Sequence, residues 1–307
     1  MTQISMPVQT IKDFLQQDST GGLLIITAAI LAMGVENSPL KFLYDALLDT
    51  PAGIQIGALV IHKPLLLWIN DGLMAVFFFL IALEIKREFI EGELSDPSRI
   101  VLPAIAAIGG MAVPALIYIT LNKGDADALA GWAIPTATDI AFALGVLSIL
   151  GSRVPVSLKI FLTSLAIFDD IGAIVIIALF YTANISFTAL VVAGLCLPLL
   201  LVLNLRNITS RSVYLFIGVI MWVAMLKSGV HATLAGVILA LFIPLRAKEN
   251  PSYSPLKTLE HDLHQLVAFF ILPLFAFVNA GVSFSGTELG HLFHGVTLGI
   301  GLGLIFG

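Results

Sequence analysis

Charge is what this chain of 307 residues has least of. Asp, Glu, Lys and Arg make up 11% of it and hydrophobic residues 58%, far from the roughly one-quarter charged content of soluble domains. That balance excludes a soluble fold and reads as a polytopic membrane protein. A single cysteine, Cys196, lies in an apolar run and excludes an internal disulfide. The start, Met1 to Gln17, has no apolar core, so no cleavable signal peptide is read there. No basic patch interleaved with aromatics is present, which argues against nucleic acid. His62, His291 and His294 lack companions at metal-ligand spacing, and no cofactor is expected. The net charge of −5 carries little weight, because in a membrane protein the placement of Lys and Arg matters more than the sum.

Long apolar runs are what the chain does have. Candidate crossings, each needing roughly 17–25 mostly apolar residues, fall near 19–36, 65–84, 101–121, 131–150, 157–181, 188–205, 212–226, 229–245 and 264–281, and a tenth begins near Gly295. With the N-terminus in the cytoplasm, only Lys41, Lys63, Lys123 and Lys227 of the 15 basic residues fall outside, as the positive-inside rule requires. Between the first two crossings, Ile54-Gln55-Ile56 and Leu59-Val60-Ile61 flank Gly57-Ala58. This reads as a short external β-hairpin at about 50–64, although a plain loop fits as well. Pairing with a second subunit is one way to satisfy the hairpin's edge.

Two adjacent acids, Asp169 and Asp170, interrupt the run from Ile160 to Tyr181. A carboxylate at the centre of a membrane helix costs about 2.5–3.5 kcal/mol on insertion scales, so intramembrane acids point to proton or cation chemistry. Gly151 to Pro155 reads as a tight turn between the fourth and fifth crossings, which puts Asp139 and Asp169 each about 20 Å from it, at one depth. Adjacent helical residues point about 100° apart, so only one of the aspartate pair is expected to meet Asp139. Just before Asp139, Pro135 removes a backbone donor, and Thr136 and Thr138 supply hydroxyls and tolerate extended backbone. The expected result is a broken helix whose freed carbonyls line a polar cavity. A plain proline kink, and an N-cap at Asp169-Asp170 for a shorter helix, are the simpler readings. A hard monovalent cation prefers such oxygen ligands. Burial and a neighbouring carboxylate both disfavour the ionised acid, so protons and cation compete for one site, and a site facing alternate sides becomes an exchanger.

Several stretches resemble the NhaA family of sodium/proton antiporters: WAIPTATDIAFALGVLSILGSRVP from Trp132, IFLTSLAIFDDIGAIVIIALFYT from Ile160, KSGVHATLAGV from Lys227, WINDGLMAVFFFLIALEIKRE from Trp68 and PLFAFVNAGVS from Pro273. The resemblance runs from about Ser19 to the last residue. It implies an all-α polytopic bundle forming a single transmembrane domain over 1–307, with discontinuous helices and about ten transmembrane segments. It implies that Asp170 and Asp169 are the core carboxylates for sodium and protons. Thr138 and Asp139 would lie where two interrupted helices cross. The implied activity is electrogenic exchange of cytoplasmic sodium or lithium for external protons, activated at alkaline pH. It serves pH and sodium homeostasis in a bacterial inner membrane, in a protein that is a transporter rather than an enzyme. A homodimer through the external hairpin, surrounded by membrane lipid, is expected. The family pattern continues for roughly two more crossings, with a lysine partner for Asp169 in the tenth helix. The last segment, Gly295 to Gly307, is therefore read as incomplete, the chain as C-terminally truncated, and its own activity as open to question.

At the inner end of the second crossing stand Glu84, Lys86, Arg87, Glu88 and Glu91, and just before the ninth stand Glu260, His261 and His264. As a solvated helix end this set needs no function. In the family, Glu84, Arg87 and Glu260 belong to a pH-responsive funnel, and histidines titrate in the relevant range. Asp71, at the outer end of the second crossing, reads as interfacial with an access role also fitting, and His231 as structural or gating. Two rival functions use similar acids. An intramembrane aspartyl protease needs two carboxylates sharing a proton, but no glycine-rich turn precedes Asp169. A passive cation channel uses rings of acids and hence oligomeric symmetry, and nothing here repeats.

Overall fold

A computed structural model describes residues 19–57, 59–137, 153–181, 186–250, 252–284 and 294–307. Helix α1 (Ser19–Glu36) is followed by α2 (Lys41–Asp49), strands β1 (Pro51–Ile56) and β2 (Leu59–Pro64), and α3 (Leu65–Glu91). Then come α4 (Pro97–Leu121), α5 (Val156–Phe180), α6 (Phe187–Leu205), α7 (Arg211–Ser228) and the short α8 (Leu234–Phe242). Helix α9 (Pro255–Leu266) runs through a π-turn, Val267–Ile271, into α10 (Leu272–Asn279), and α11 (Gly295–Phe306) closes the series. The π-turn has a cause in the sequence: Pro273 lacks an N–H and crowds the turn before it, and a widened turn relieves the clash.

The hairpin is formed, antiparallel, with Ile54 opposite Ile61 and Ile56 opposite Leu59. Gly57 turns it at φ 58. The ten crossings sort differently in three dimensions. Among the described residues, six helices are long and apolar enough to cross a membrane: 65–91, 100–121, 160–180, 187–205, 211–228 and 255–279. Helices α1 and α2, bent by 111° at their break, count together as a seventh. The run 229–245 contains only the nine-residue α8, about 14 Å long and too short for a hydrocarbon core of about 30 Å. The apolar run reads longer because Val230 and Ile243 are apolar, but the chain turns at Gly229 (φ 82) and the helix stops at Phe242, before Pro244. Of the run 131–150, the residues as far as Thr136 are turn and 3₁₀-helix, and those after Ala137 lie outside the described residues.

The chain divides into two compact units. In the first, which includes residues 19–73 and 264–284, Ala32, Tyr44, Leu48 and Val278 form a buried core. The Tyr44 hydroxyl donates to the Phe277 carbonyl at 2.6 Å, and their rings meet edge to face at 5.4 Å. Asn37 ties down the chain after α10 with both ends of its amide, donating to the Val282 carbonyl at 2.8 Å and accepting from the Phe284 N–H at 2.7 Å.

In the second unit, residues of α3, α6, α7, α8 and α9 share a core that includes Phe79, Leu83, Leu200, Met221, Leu239 and Leu256. Around this core the outward residues are apolar too: on α6, Leu200 is fully buried while Leu195, Leu199 and Leu205 are exposed. Exposure on that scale marks a surface made for lipid. Helix α11 packs on α4 through a stripe of small residues. Gly295, Gly299 and Gly303 recur every four residues, and a Cβ at each would come within 3 Å of Asn122, Asn122 and Tyr118, or Pro135 respectively. Without a hydrophobic drive between helices in lipid, such close backbone approach is a main source of helix association. Gly299→Leu is therefore expected to destabilise the fold by about 1–3 kcal/mol. Gly301→Leu, where nothing lies within 4 Å, should not. Thermal unfolding of the two variants in detergent checks this.

Candidate functional site

The Asp169-Asp170 pair lies inside the 25-residue α5, with helix on both sides. The N-cap reading is thereby excluded. Asp169 is 7% exposed and Asp170 is half-buried, as expected for neighbours about 100° apart. Asp169 sits about 20 Å from the start of α5 at Val156, near the middle of the span. Next to the pair, Gly172 admits Met111 of α4 so closely that a Cβ there would lie 2.3 Å from its sulfur.

Of the segment expected to break, the residues up to Ala137 are described. Asp125 caps the one-turn helix Ala126–Leu129 by accepting from the Asp127 and Ala128 N–H groups. A 3₁₀-turn, Ile134–Thr136, follows, and the backbone is extended at Ala137 (φ −83, ψ 131). Pro135 and Thr136 are buried, and the Thr136 hydroxyl turns back to the Ala133 carbonyl at 2.7 Å. Trp132 meets Phe180 at the end of α5 edge to face, 5.2 Å apart. Tyr181 donates to the Ala130 carbonyl at 3.0 Å. Thr138 and Asp139 lie outside the described residues.

At the far end of α3, Arg87 donates through Nε to both Glu260 oxygens at 2.9 and 3.0 Å, and its Nη1 lies 2.7 Å from Glu88. Glu84 stands close enough to act on the same guanidinium. The structure thus joins Glu84, Arg87 and Glu260 in one cluster, while His261 and His264 are exposed. Asp71 accepts from Lys63 of the hairpin at 2.8 Å. The His231 Nδ1 lies 2.9 Å from the buried Thr233 hydroxyl, directly before α8.

In the sequence Lys86 is one more charged residue of this cluster, with no task of its own. Its ammonium instead donates to the carbonyls of Leu241 and Ile243, at 2.7 and 2.6 Å. Asn204 donates to the carbonyl between them, Phe242, at 2.7 Å. These are the orphan acceptors at the C-terminal end of α8, where a cation also meets the negative end of the helix dipole. At the other end of α8, a Cβ on Gly236 would lie 2.2 Å from the Ala75 carbonyl, so this short helix is pressed onto α3 along its length. The available signal was Pro244, which announces a helix end that needs capping. Lys86→Met should lower stability by about 1.5–3 kcal/mol for each charged hydrogen bond lost. Lys86→Arg should recover part of it, read as melting temperature in detergent.

The model of the family described as Na+/H+ antiporter 1 matches residues 12–307. The chain is similar to Na(+)/H(+) antiporter NhaA 3 of Saccharophagus degradans, 60% identical over 97% of this chain and 76% of that protein. It is also similar to Na(+)/H(+) antiporter NhaA of Psychrobacter arcticus, 58% identical over 98% and 76%, and to that of Pseudomonas putida strain GB-1, 59% identical over 96% and 75%. With a membrane-length helix carrying paired acids and a broken segment pinned beside it, this chain belongs to the Na+/H+ antiporter 1 family, the NhaA antiporters.

Proposed function

We propose that the protein exchanges sodium, or lithium, for protons across a bacterial inner membrane, with its N-terminus in the cytoplasm. The observation that carries this reading is Asp169, a carboxylate 7% exposed near the centre of a spanning helix, in a chain of this family. Asp169 and Asp170 are the proton and cation carboxylates, and Thr138 and Asp139 complete the site from the segment that follows Ala137. The extended backbone at Ala137 supports this, because a chain leaving helical geometry frees carbonyls that a cation can use. An empty pair of ionised acids is costly in a shielded site, so either protons or a cation must neutralise it. The two then displace each other, and one site serves both. More protons moved inward than sodium outward makes the exchange electrogenic. Neither a protease nor a passive channel is favoured by the family.

The test is reconstitution in vesicles holding a preformed pH gradient. Sodium or lithium should collapse the gradient, and Asp170→Asn and Asp169→Asn should each reduce that collapse by at least about tenfold, since about 1.4 kcal/mol of lost site energy is already a factor of ten. Collapse that persists in both variants, or that needs no sodium, removes the proposal.

Activation at alkaline pH is placed in the Glu84, Arg87 and Glu260 cluster, with His261 and His264 on the same helix end. Access from the opposite end is governed by Asp71, and His231 steadies the turn into α8. The hairpin carries the homodimer contact, its exposed Ile54 and Val60 standing on a two-stranded sheet that is short of stabilising partners. Glu260→Cys should shift the pH profile of exchange, because it removes both bonds to Arg87. An unchanged profile counts against the cluster's role.

A further inference from the structure

Beside the Arg87 cluster, but made of other residues, lies a cavity of about 300 Å³ lined by Glu91, Leu245, Arg246, Ser252, Ser254 and Lys257. We propose that this cavity binds a phosphate group, supplied by the headgroup of an anionic phospholipid. Its position fits that ligand. Glu91 is the last residue of one spanning helix and Lys257 stands in the first turn of another, so the cavity opens where hydrocarbon gives way to headgroups.

The charges fit as well. The Glu91 carboxylate is shared: one oxygen takes the Arg246 guanidinium, with Nε at 2.7 Å, and the other takes Lys257 at 2.7 Å. One carboxylate against two cations leaves one positive charge, which a phosphodiester matches. Arg246 and Lys257 are 68% and 52% exposed at their side chains while Glu91 is 19% exposed, so the cations stand toward the opening and the acid behind them. The Ser254 hydroxyl, which accepts from the Lys257 N–H at 3.1 Å, has its own proton to donate to a phosphate oxygen, whereas the Ser252 hydroxyl already donates to Asn250. Basic pockets between helix ends at the membrane face are where anionic headgroups are held.

The loop is built rather than slack. Asn207, at φ 51, donates to the Arg246 carbonyl at 3.1 Å and accepts from the Lys248 N–H at 2.7 Å. The Ala247 N–H bonds the Tyr253 carbonyl, and the Leu256 N–H the Pro244 carbonyl. A lipid source is favoured over a dissolved phosphate because the cavity is built from the ends of two spanning helices, at Glu91 and Lys257, where headgroups stand.

The experiment uses the purified protein in a neutral detergent and follows bound lipid by native mass spectrometry and stability by thermal shift. The probes are phosphatidylglycerol, phosphatidylcholine and inorganic phosphate, and ion exchange plays no part in the readout. Phosphatidylglycerol should be retained over phosphatidylcholine, and Arg246→Gln and Lys257→Gln should each weaken retention about fivefold, the worth of one basic residue near an anionic surface. Glu91→Gln should strengthen it, which guards against reading a folding defect as a binding defect. A shift by inorganic phosphate equal to that by phosphatidylglycerol, lost in the same variants, supports the phosphate site with a solute source. Equal retention of both lipids with no phosphate effect, or retention unchanged in all three variants, overturns the proposal.

Discussion

A carbonyl that water cannot reach must find a donor in the protein, and this requirement governs where the structure departs from straight helices. A buried backbone group left unsatisfied costs a few kcal/mol, so a helix end packed inside the protein has to bring its own caps. Helix α8 stops at Phe242, and Lys86 and Asn204 together cover three successive carbonyls there. The chain beyond α10 is no longer helical, and Asn37 serves as donor and acceptor to it. The segment before Thr138 stops being helical, and Thr136, Tyr118 and Tyr181 take up carbonyls at Ala133, Ala128 and Ala130. Each interruption is matched by a polar side chain from an otherwise apolar helix. Polar residues in the described spans are thus sparse, most of those at the interruptions are occupied while the buried Tyr214 hydroxyl on α7 has no partner, and the few that carry full charge stand out.

Those charges are not spread evenly. At one end of α3 sit the Arg87 and Glu91 networks, tied to Glu260 on the one hand and to Arg246 and Lys257 on the other. Nearer its start, Asp71 is held by Lys63. Between them α3 is buried and apolar from Phe78 to Leu83. Paired charges at helix ends cost little because water and headgroups remain near. A carboxylate in mid-span has no such relief, which is why Asp169 is a different kind of residue from Glu91 although both are acids on spanning helices.

Much of this was legible in the sequence, for reasons that can be named. Hydropathy located α4 to α7 within a few residues, and the start of α3 but not its charged end at Glu91, because a lipid-facing helix needs apolar residues all round and leaves an unbroken signal. The hairpin was legible from alternation about Gly57, whose positive φ its turn needs. The run 229–245 misled because Gly229 and Pro244, which end it, stand at its margins while the residues between are as apolar as any crossing; length in three dimensions was lost, hydrophobicity was not. The aspartate pair was visible as an anomaly of charge, but which of the two is the more buried depends on the facing of α5, fixed by contacts such as Gly172 on Met111 that no local pattern encodes. Lys86 was hidden differently. Among four charged neighbours it looked like one more solvated residue, and only the end of α8, some 155 residues away in sequence, gives it a task.

On the proposed exchange, the difference between Asp169 and Asp170 bears on how one helix would serve two kinds of cargo. Two carboxylates in one environment would titrate as a coupled pair and share whatever neutralises them. Here the helix itself separates them by about 100° and gives them unequal burial, 7% for Asp169 and a half-buried setting for Asp170. The more shielded acid interacts strongly with any charge that reaches it and poorly with water. The less shielded one is the easier of the two to reach, and on the proposed exchange a cation must shed its hydration to bind. An acid that meets the ion first and a deeper one that balances charge behind it form a sequence rather than a duplicate. On the exchange reading, the doublet is then the smallest change to an apolar helix that provides both an entry ligand and a buried counter-charge. A single aspartate at either position would have to be wet and dry at once.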